Sequence, residues 1–417
     1  MKVGFTAIFV DNFSICLLEA NRVPRILVLT ASFGDGHNQA GRAIQEALVS
    51  HGARVRVVDY VEWLNPAVRS FAKFSLMQSV KRVPTLYGHF YKRMSRLDPT
   101  SSLQKQLNHM GIAKVRRFIG AYRPDAVIST FPTPAGVVSE LRSDGVTDVP
   151  NLGVLTDYTG HRTWVQPHID RYFVATDAVR LDMVERGAQR DRIVVSGIPI
   201  RSKFDENAAL PLIRQRMLLR REAGIDVDAT VVLLMGGGLG LLGSTSDWQA
   251  CMQQTDATFL VVCGRNERLY KRLESLQSNR IQIIGFTEDV PKFMAMADVL
   301  VTKPGALTVT ESLAMELPMI LYRSIPGQEE YNGQYALQTG AAVQAGSIAE
   351  AGAFIQYAIL HPERLRAMRQ AARQQSVRGA AGRIAAYAYD LALAHEHTRK
   401  QMDIDIAASA SRRVRKR

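Results

Sequence analysis

Histidine is the side chain whose ordinary pKa lets it exchange a proton near neutral pH, and His37 stands where such a group has work to do. It closes Thr30-Ala31-Ser32-Phe33-Gly34-Asp35-Gly36-His37-Asn38, which follows an apolar run and precedes a helical pattern with Ala40, Ala43, Ile44, Ala47 and Leu48 on one face. Gly34 and Gly36 allow backbone N–H groups to approach an anion or a polar ligand; a glycine turn with an incidental histidine is the competing reading. A second loop, Met235-Gly236-Gly237-Gly238-Leu239-Gly240, is rich enough in glycine for main chain to wrap a phosphate, or to make a tight strand-to-helix turn. It has neither the Lys-Ser/Thr ending of a Walker loop nor a full dinucleotide fingerprint. In Thr302-Lys303-Pro304-Gly305-Ala306-Leu307-Thr308-Val309-Thr310-Glu311, Thr308 and Glu311 have the spacing of a helix capping box. The rival reading has Glu311 accepting both hydroxyls of a ribose. Ile325-Pro326-Gly327-Gln328-Glu329-Glu330-Tyr331-Asn332 crowds polar groups suited to sugar hydroxyls, or to a surface helix start. Asp157, His161 and Trp164, within Thr156–Trp164, suit a polar cleft with an aromatic wall. No metal site is expected, because no third ligand has the right spacing and Asp226-Val227-Asp228 precedes a strand rather than following one.

All these loops except the last aspartate triplet follow short β-branched runs, and that placement is the second signal. Strands are expected at Arg25–Thr30, Arg54–Asp59, Asp125–Thr130, Asn151–Thr156, Arg171–Ala175 and Arg192–Ser196. After Gly197-Ile198-Pro199-Ile200 the rhythm restarts with Thr230–Met235, Thr258–Cys263, Arg280–Gly285, Asp298–Thr302 and Pro318–Tyr322. Helices are expected between them, as at Pro291–Ala297 and Thr308–Glu316. Two β/α series of similar size imply an α/β protein with two doubly wound, Rossmann-like domains and a joint near residues 197–210. Such sheets bind ligands at the carboxyl ends of their strands, where the loops above lie.

A chain of 417 residues with 47% hydrophobic and 22% charged residues is a folded globular protein, not a disordered or disulfide-stapled one. Cys16, Cys251 and Cys263 lack metal-ligand spacing and fit a reducing compartment. Val3–Ala20, interrupted by Asp11, Asn12 and Ser14, is neither a spanning helix nor a convincing export signal and reads as an extension. The net charge of +13 is concentrated: residues 69–123 carry twelve Lys/Arg against Asp98 alone, and residues 412–417 carry five more. What remains is slightly acidic, so the basic region is a local attractor for polyanions or an anionic membrane.

The segments SFGDGHNQAGRAI, LTDYTGHRTW, VSGIPI, IIGFTEDVPKFMAMADVLVTKPGALTVTESLAMELPMIL and IPGQEEYN, in this order, resemble the monogalactosyldiacylglycerol synthase and processive diacylglycerol glucosyltransferase family. That family is related to the N-acetylglucosaminyltransferase acting on lipid-linked peptidoglycan precursors. The resemblance runs from about Ile26 to about Val343. It implies a GT-B fold with the site between two Rossmann-like domains. It also implies inverting transfer of a hexose, glucose or galactose, from a UDP-sugar to the 3-hydroxyl of 1,2-diacylglycerol, with no obligatory cofactor or metal. His37 then matches the general base. Phe286 and Thr287 match the uracil segment, Leu307, Thr308 and Glu311 the nucleotide site with Glu311 on the ribose, and Gly237 and Gly238 the diphosphate contact. Gln328, Glu329 and Asn332 would read the sugar, while Gly34, Gly36, Asp157, His161 and Trp164 would line the acceptor side.

An independent pattern supports a lipid substrate. Leu86, Tyr87, Phe90, Tyr91, Met94 and Leu97 fall on one helical face, with Lys92, Arg93 and Arg96 on the other. Aromatics entering the headgroup zone while cations meet anionic lipid make an interfacial helix, although a core-packing helix has the same pattern. The expected setting is peripheral, on the cytoplasmic face of the cell membrane. The expected domains are an extension at 1–22, an acceptor domain at 23–200, a UDP-sugar domain at 201–375, a helix at 376–400 and a disordered basic tail at 401–417. The alternatives are N-acetylglucosaminyl transfer to a cell-wall precursor, against which Gln328-Glu329-Glu330 is less Gln-rich than expected, and a nucleic-acid-binding protein. The latter lacks any recognition motif, so no nucleic-acid partner is expected.

Overall fold

The computed structural model describes residues 23–64, 66, 101, 109, 111–205, 212–238, 240, 243–324 and 327–414. The extension at 1–22 and the interfacial candidates Tyr87, Phe90, Tyr91, Lys92, Arg93 and Arg96 lie outside the described residues.

The apolar runs form two parallel sheets. The first contains β1 (Arg25–Thr30), β2 (Arg54–Asp59), β3 (Ala126–Ser129), β4 (Asn151–Val154), β5 (Arg171–Val174) and β6 (Ile193–Val195), in the order β2-β1-β3-β4-β5-β6. The second contains β7 (Val231–Met235), β8 (Thr258–Val262), β9 (Ile281–Ile284), β10 (Val299–Thr302), β11 (Met319–Tyr322) and β12 (Ala342–Ala345), in the order β12-β11-β10-β7-β8-β9. Central strands such as β7 are buried along their whole length, because helices cover both faces, whereas the edge strand β2 alternates with solvent. Strand β12 has no counterpart among the expected strands. Its sequence, AVQA, has one β-branched residue and too little apolar pattern to stand out.

Sheet order explains where a cleft must open. From β1 the chain passes to β2 on one side and later to β3 on the other, so the loops leaving β1 and β3 diverge. The same reversal separates β7 from β10. A crevice forms at each such switch point, outside the carboxyl ends of the strands.

Five helices serve the cleft or its frame: α1 (Asp35–Ser50), α2 (Ile112–Tyr122), α3 (Ala306–Ala314), α4 (Gln328–Gln338) and α5 (Ala380–Val414). The last of these returns to the first domain. Its Ile384, Ala385, Ala388 and Ala392 are fully buried against Ile26, Val28, Ile44, Leu48 and Phe173. Small alanines let α5 approach β1 and α1 closely, so both ends of the chain build the first core. Helix α5 also corrects the expected tail: helix continues past residue 400 to Val414 instead of giving way to disorder. Residues 401–414 contain neither Gly nor Pro and have three alanines, so nothing in them stops a helix already under way.

Candidate active site

The first switch point is built around His37. Its Nδ1 lies 2.8 Å from the carbonyl oxygen of Thr130, the residue just past β3, and 3.0 Å from Thr156 Oγ1, just past β4. A carbonyl can only accept, so Nδ1 carries the proton and Nε2 keeps its lone pair. The contact is reciprocal, since Thr130 Oγ1 donates to the His37 carbonyl at 3.2 Å. Phe131 meets the imidazole edge-on, with ring centroids 5.1 Å apart. Asp59, at the end of β2, accepts from Ser32 N at 3.1 Å and from Val61 N at 3.0 Å, tying down the loop that leads into α1. Burial, partly offset by the Thr130 contact, lowers the His37 pKa to about 4, so the ring is neutral at pH 7. His161, on the same side of the cleft, is also held near 4 by burial and by Arg186.

The second switch point faces it. Gly36 lies opposite Leu307 of α3, where a Cβ on the glycine would come 3.4 Å from Leu307 Cδ2. Gly237, at φ 72°, has the left-handed backbone glycine adopts without strain, and Lys303, leaving β10, brings its Cε against the same residue. Helix α3 begins at Ala306 with Gly305 at its N-cap and no capping side chain. The capping-box reading of Thr308 and Glu311 is therefore excluded: the N-cap is Gly305, three residues before Thr308, which places both residues inside the helix. Burial raises the Glu311 pKa to about 8, against a smaller opposing effect from Arg201. Glu311 is thus a half-buried carboxyl inside α3, largely protonated at pH 7. Phe286 is 53% exposed after β9, with the Arg265 guanidinium 4.5 Å above its ring. The neighbouring Thr287 Oγ1 accepts from Asp289 N at 3.0 Å.

Between the two sides lies a polar clasp. Asp157 accepts from Gln328 Nε2 and, at 3.3 Å, from Asn332 Nδ2. Asn332 Oδ1 in turn accepts from Tyr158 N at 3.0 Å. Tyr158 stacks on Tyr335 of α4 at 3.8 Å and shares a hydrogen bond with Thr310 at 2.8 Å. Burial, more than the opposing hydrogen bonds, raises the Asp157 pKa to about 6, with Glu329 adding to the rise. Glu329 pairs with Lys303. Asn332 is 1% exposed, with its amide oxygen and nitrogen both engaged, and Gln328 is half-buried with its Nε2 on Asp157.

Trp164 does not line the cleft, contrary to expectation. It is 3% exposed and packs on β4 where Gly153 leaves a slot; a Cβ there would meet Trp164 Cζ3 at 3.2 Å and Tyr172 Cδ1 at 3.3 Å. A short helical turn, Arg162–Trp164, folds the indole inward, and the apolar slot outweighs a wet cleft for so large a ring. Among the other expected site residues, Gly36 meets Leu307, and Asp157 meets Gln328 and Asn332, across the two sides. Thr130, Thr156, Tyr158 and Arg265 were not singled out from sequence. Only their position just after buried strands marked them. Among the described residues, no three His, Cys, Asp or Glu side chains gather as metal ligands.

Comparison with known proteins agrees with this geometry. The family model for monogalactosyldiacylglycerol (MGDG) synthase matches residues 37–200, and the model for glycosyl transferases group 1 matches residues 248–375. A processive diacylglycerol beta-glucosyltransferase of Bacillus cereus is 33% identical over 325 residues, covering 77% of this chain and 81% of the relative. The chain belongs to the diacylglycerol glycosyltransferase family. A counterpart of the same description from Bacillus thuringiensis is 32% identical over 325 residues. MurG of Acinetobacter baumannii shares the fold of this family member with a TM-score of 0.57 at 15% identity, over 88% of this chain and 100% of MurG. Arabidopsis thaliana UGT89C1, solved with UDP-L-rhamnose, gives 0.55 at 11% identity over 90% and 99% of the two chains. The fold is GT-B, as the sequence resemblance implied.

The Glu311 carboxyl makes a pH-dependent contribution to this glycosyltransferase. Its folded pKa stands above the ordinary value of 4.5, so the stability it supports is complete below that value and is lost as pH rises toward about 8. The melting temperature of Glu311→Gln relative to wild type should therefore climb across that interval and level off beyond it. Differential scanning fluorimetry from pH 4.5 to 9 reads the effect, and a flat difference contradicts the burial of Glu311.

Proposed function

We propose that this glycosyltransferase moves a hexose, glucose or galactose, from a UDP-sugar to the 3-hydroxyl of 1,2-diacylglycerol, with inversion, at a membrane surface. The observation that carries the reading is the His37 geometry: Nδ1 committed to the Thr130 carbonyl leaves an unprotonated Nε2 in a cleft opposite α3. In a single displacement the acceptor oxygen attacks the anomeric carbon, the bond to UDP breaks, and the hydroxyl proton passes to Nε2. The low pKa keeps the base neutral and ready at pH 7, and negative charge on the departing diphosphate stabilises the imidazolium as it forms. Glu311 would hold the ribose hydroxyls, shedding its proton as the donor binds, and Lys303 with the Gly237-Gly238 backbone would meet the diphosphate. With that charge met by protein groups, the reading needs no obligatory metal.

The named relatives are diacylglycerol glucosyltransferases, which favours diacylglycerol over a lipid-linked cell-wall precursor; the MurG likeness speaks for fold alone. Purified protein incubated with a panel of UDP-sugars and diacylglycerol should yield glycosyldiacylglycerol by mass spectrometry, and His37→Ala should lower turnover by ~10²–10⁴ with UDP binding retained. Transfer only to a cell-wall precursor, or near-normal turnover in the variant, contradicts the reading.

Peripheral membrane binding belongs to the same proposal. Among the described residues no helix is long and apolar enough to cross a membrane. The described end of the basic region is α2, which buries Val115 and Ile119 and exposes Lys114, Arg116 and Arg117. Replacing Lys92, Arg93 and Arg96 by Gln should weaken sedimentation with anionic vesicles by ~2–3 kcal/mol and leave neutral vesicles unaffected. Activity should fall on vesicle-embedded diacylglycerol and survive on a soluble short-chain acceptor; equal losses on both would assign this segment to the cleft.

A further inference from the structure

Asp35, the first residue of α1, reaches across the cleft. Its Oδ1 and Oδ2 lie 3.0 and 3.2 Å from Arg265 Nη1 on the second domain. The same carboxylate rests directly on the backbone of Gly238: a Cβ built there would fall 1.6 Å from Asp35 Oδ2 and displace it. Arg265 is itself tied to that loop, because its backbone N donates to the Gly238 carbonyl at 3.1 Å. Its guanidinium is also steadied on the exposed face of Phe286. An anion from one domain therefore sits on the glycine loop and cation of the other.

Ion pairing for stability does not account for this arrangement. The two side chains are 39% and 51% exposed, and ion pairs so open to water add little. Location accounts for it better. The stretch Gly236-Gly237-Gly238 leaves β7 at the switch point, where the proposed function puts the donor's diphosphate. A guanidinium fixed beside a glycine backbone is an anion site, and a carboxylate already fills it.

We infer that Arg265 is a binding group for the donor's diphosphate, and that Asp35 occupies its place until the donor arrives. The inference rests on the UDP-sugar reading and deepens it. Two anions cannot share Arg265 and the Gly238 backbone without strong repulsion, so donor binding releases Asp35. Because Asp35 and His37 share the first turn of α1, the release acts on the segment that carries the proposed base. Neither Asp35 nor Arg265 is the base; Asp35 acts through Arg265 and the position of α1.

Calorimetry with UDP and with uridine separates the possibilities. Asp35→Asn keeps the shape and removes the competing charge, so UDP should bind roughly two- to fivefold more tightly, with uridine unchanged. Arg265→Gln should weaken UDP binding roughly tenfold or more, again sparing uridine. Unchanged or weaker UDP binding by Asp35→Asn, unchanged UDP binding by Arg265→Gln, or equal shifts for both ligands would overturn the inference while leaving the nucleotide-sugar reading intact. Wild-type protein that binds neither UDP nor uridine would overturn that reading and this inference with it.

Discussion

A proton on one imidazole nitrogen cannot also be on the other, and the rest of the site follows from how this chain spends that constraint. The Thr130 carbonyl lies one residue beyond β3, where the ladder no longer claims it, and it accepts from His37 Nδ1 at 2.8 Å. Everything nearby supports that bond. The β1–β3 switch point separates the two loops enough for α1 to begin between them. Asp59 pins the β1 loop, and the Thr130 hydroxyl returns a hydrogen bond to the His37 backbone. The outcome is a histidine whose tautomer is set by backbone rather than by a carboxylate.

The domains meet through groups whose charged forms burial disfavours. His37 near 4, Asp157 near 6 and Glu311 near 8 all shift toward their uncharged forms, and desolvation is the first cause in each case. The Asp157–Gln328–Asn332–Tyr158 clasp shows how the closed arrangement is satisfied without ligand. On the proposed reading, a nucleotide diphosphate entering this cleft brings negative charge that cations and backbone N–H groups must meet. The protein would answer with Lys303, Arg265 and the glycine loop.

Much of this was legible in the sequence, for a physical reason. Strands buried on both faces appear as unbroken apolar runs, so eleven of the twelve strands among the described residues could be placed, and with them the loops that carry His37, Gly237 and Glu311. Strand β12 escaped because AVQA has no such run. What the sequence did not show depends on packing in three dimensions. Trp164 turned inward because Gly153, on β4 just before it in the chain, left room for it. Of the two readings of Thr308 and Glu311, the cap is the one the helix start at Ala306 removes. The Asp35–Arg265 contact joins residues 230 positions apart, and no local pattern announces it.

The central claim is that His37 enters the reaction as a neutral base with Nδ1 protonated and Nε2 free. Long-range ¹⁵N–¹H spectra of protein with labelled histidine, assigned through His37→Gln, test it directly. The account predicts an Nδ1–H tautomer that holds from pH 8 down to about 5 and begins to titrate only toward pH 4. An Nε2–H tautomer, or titration near the ordinary value of 6.5, would contradict it.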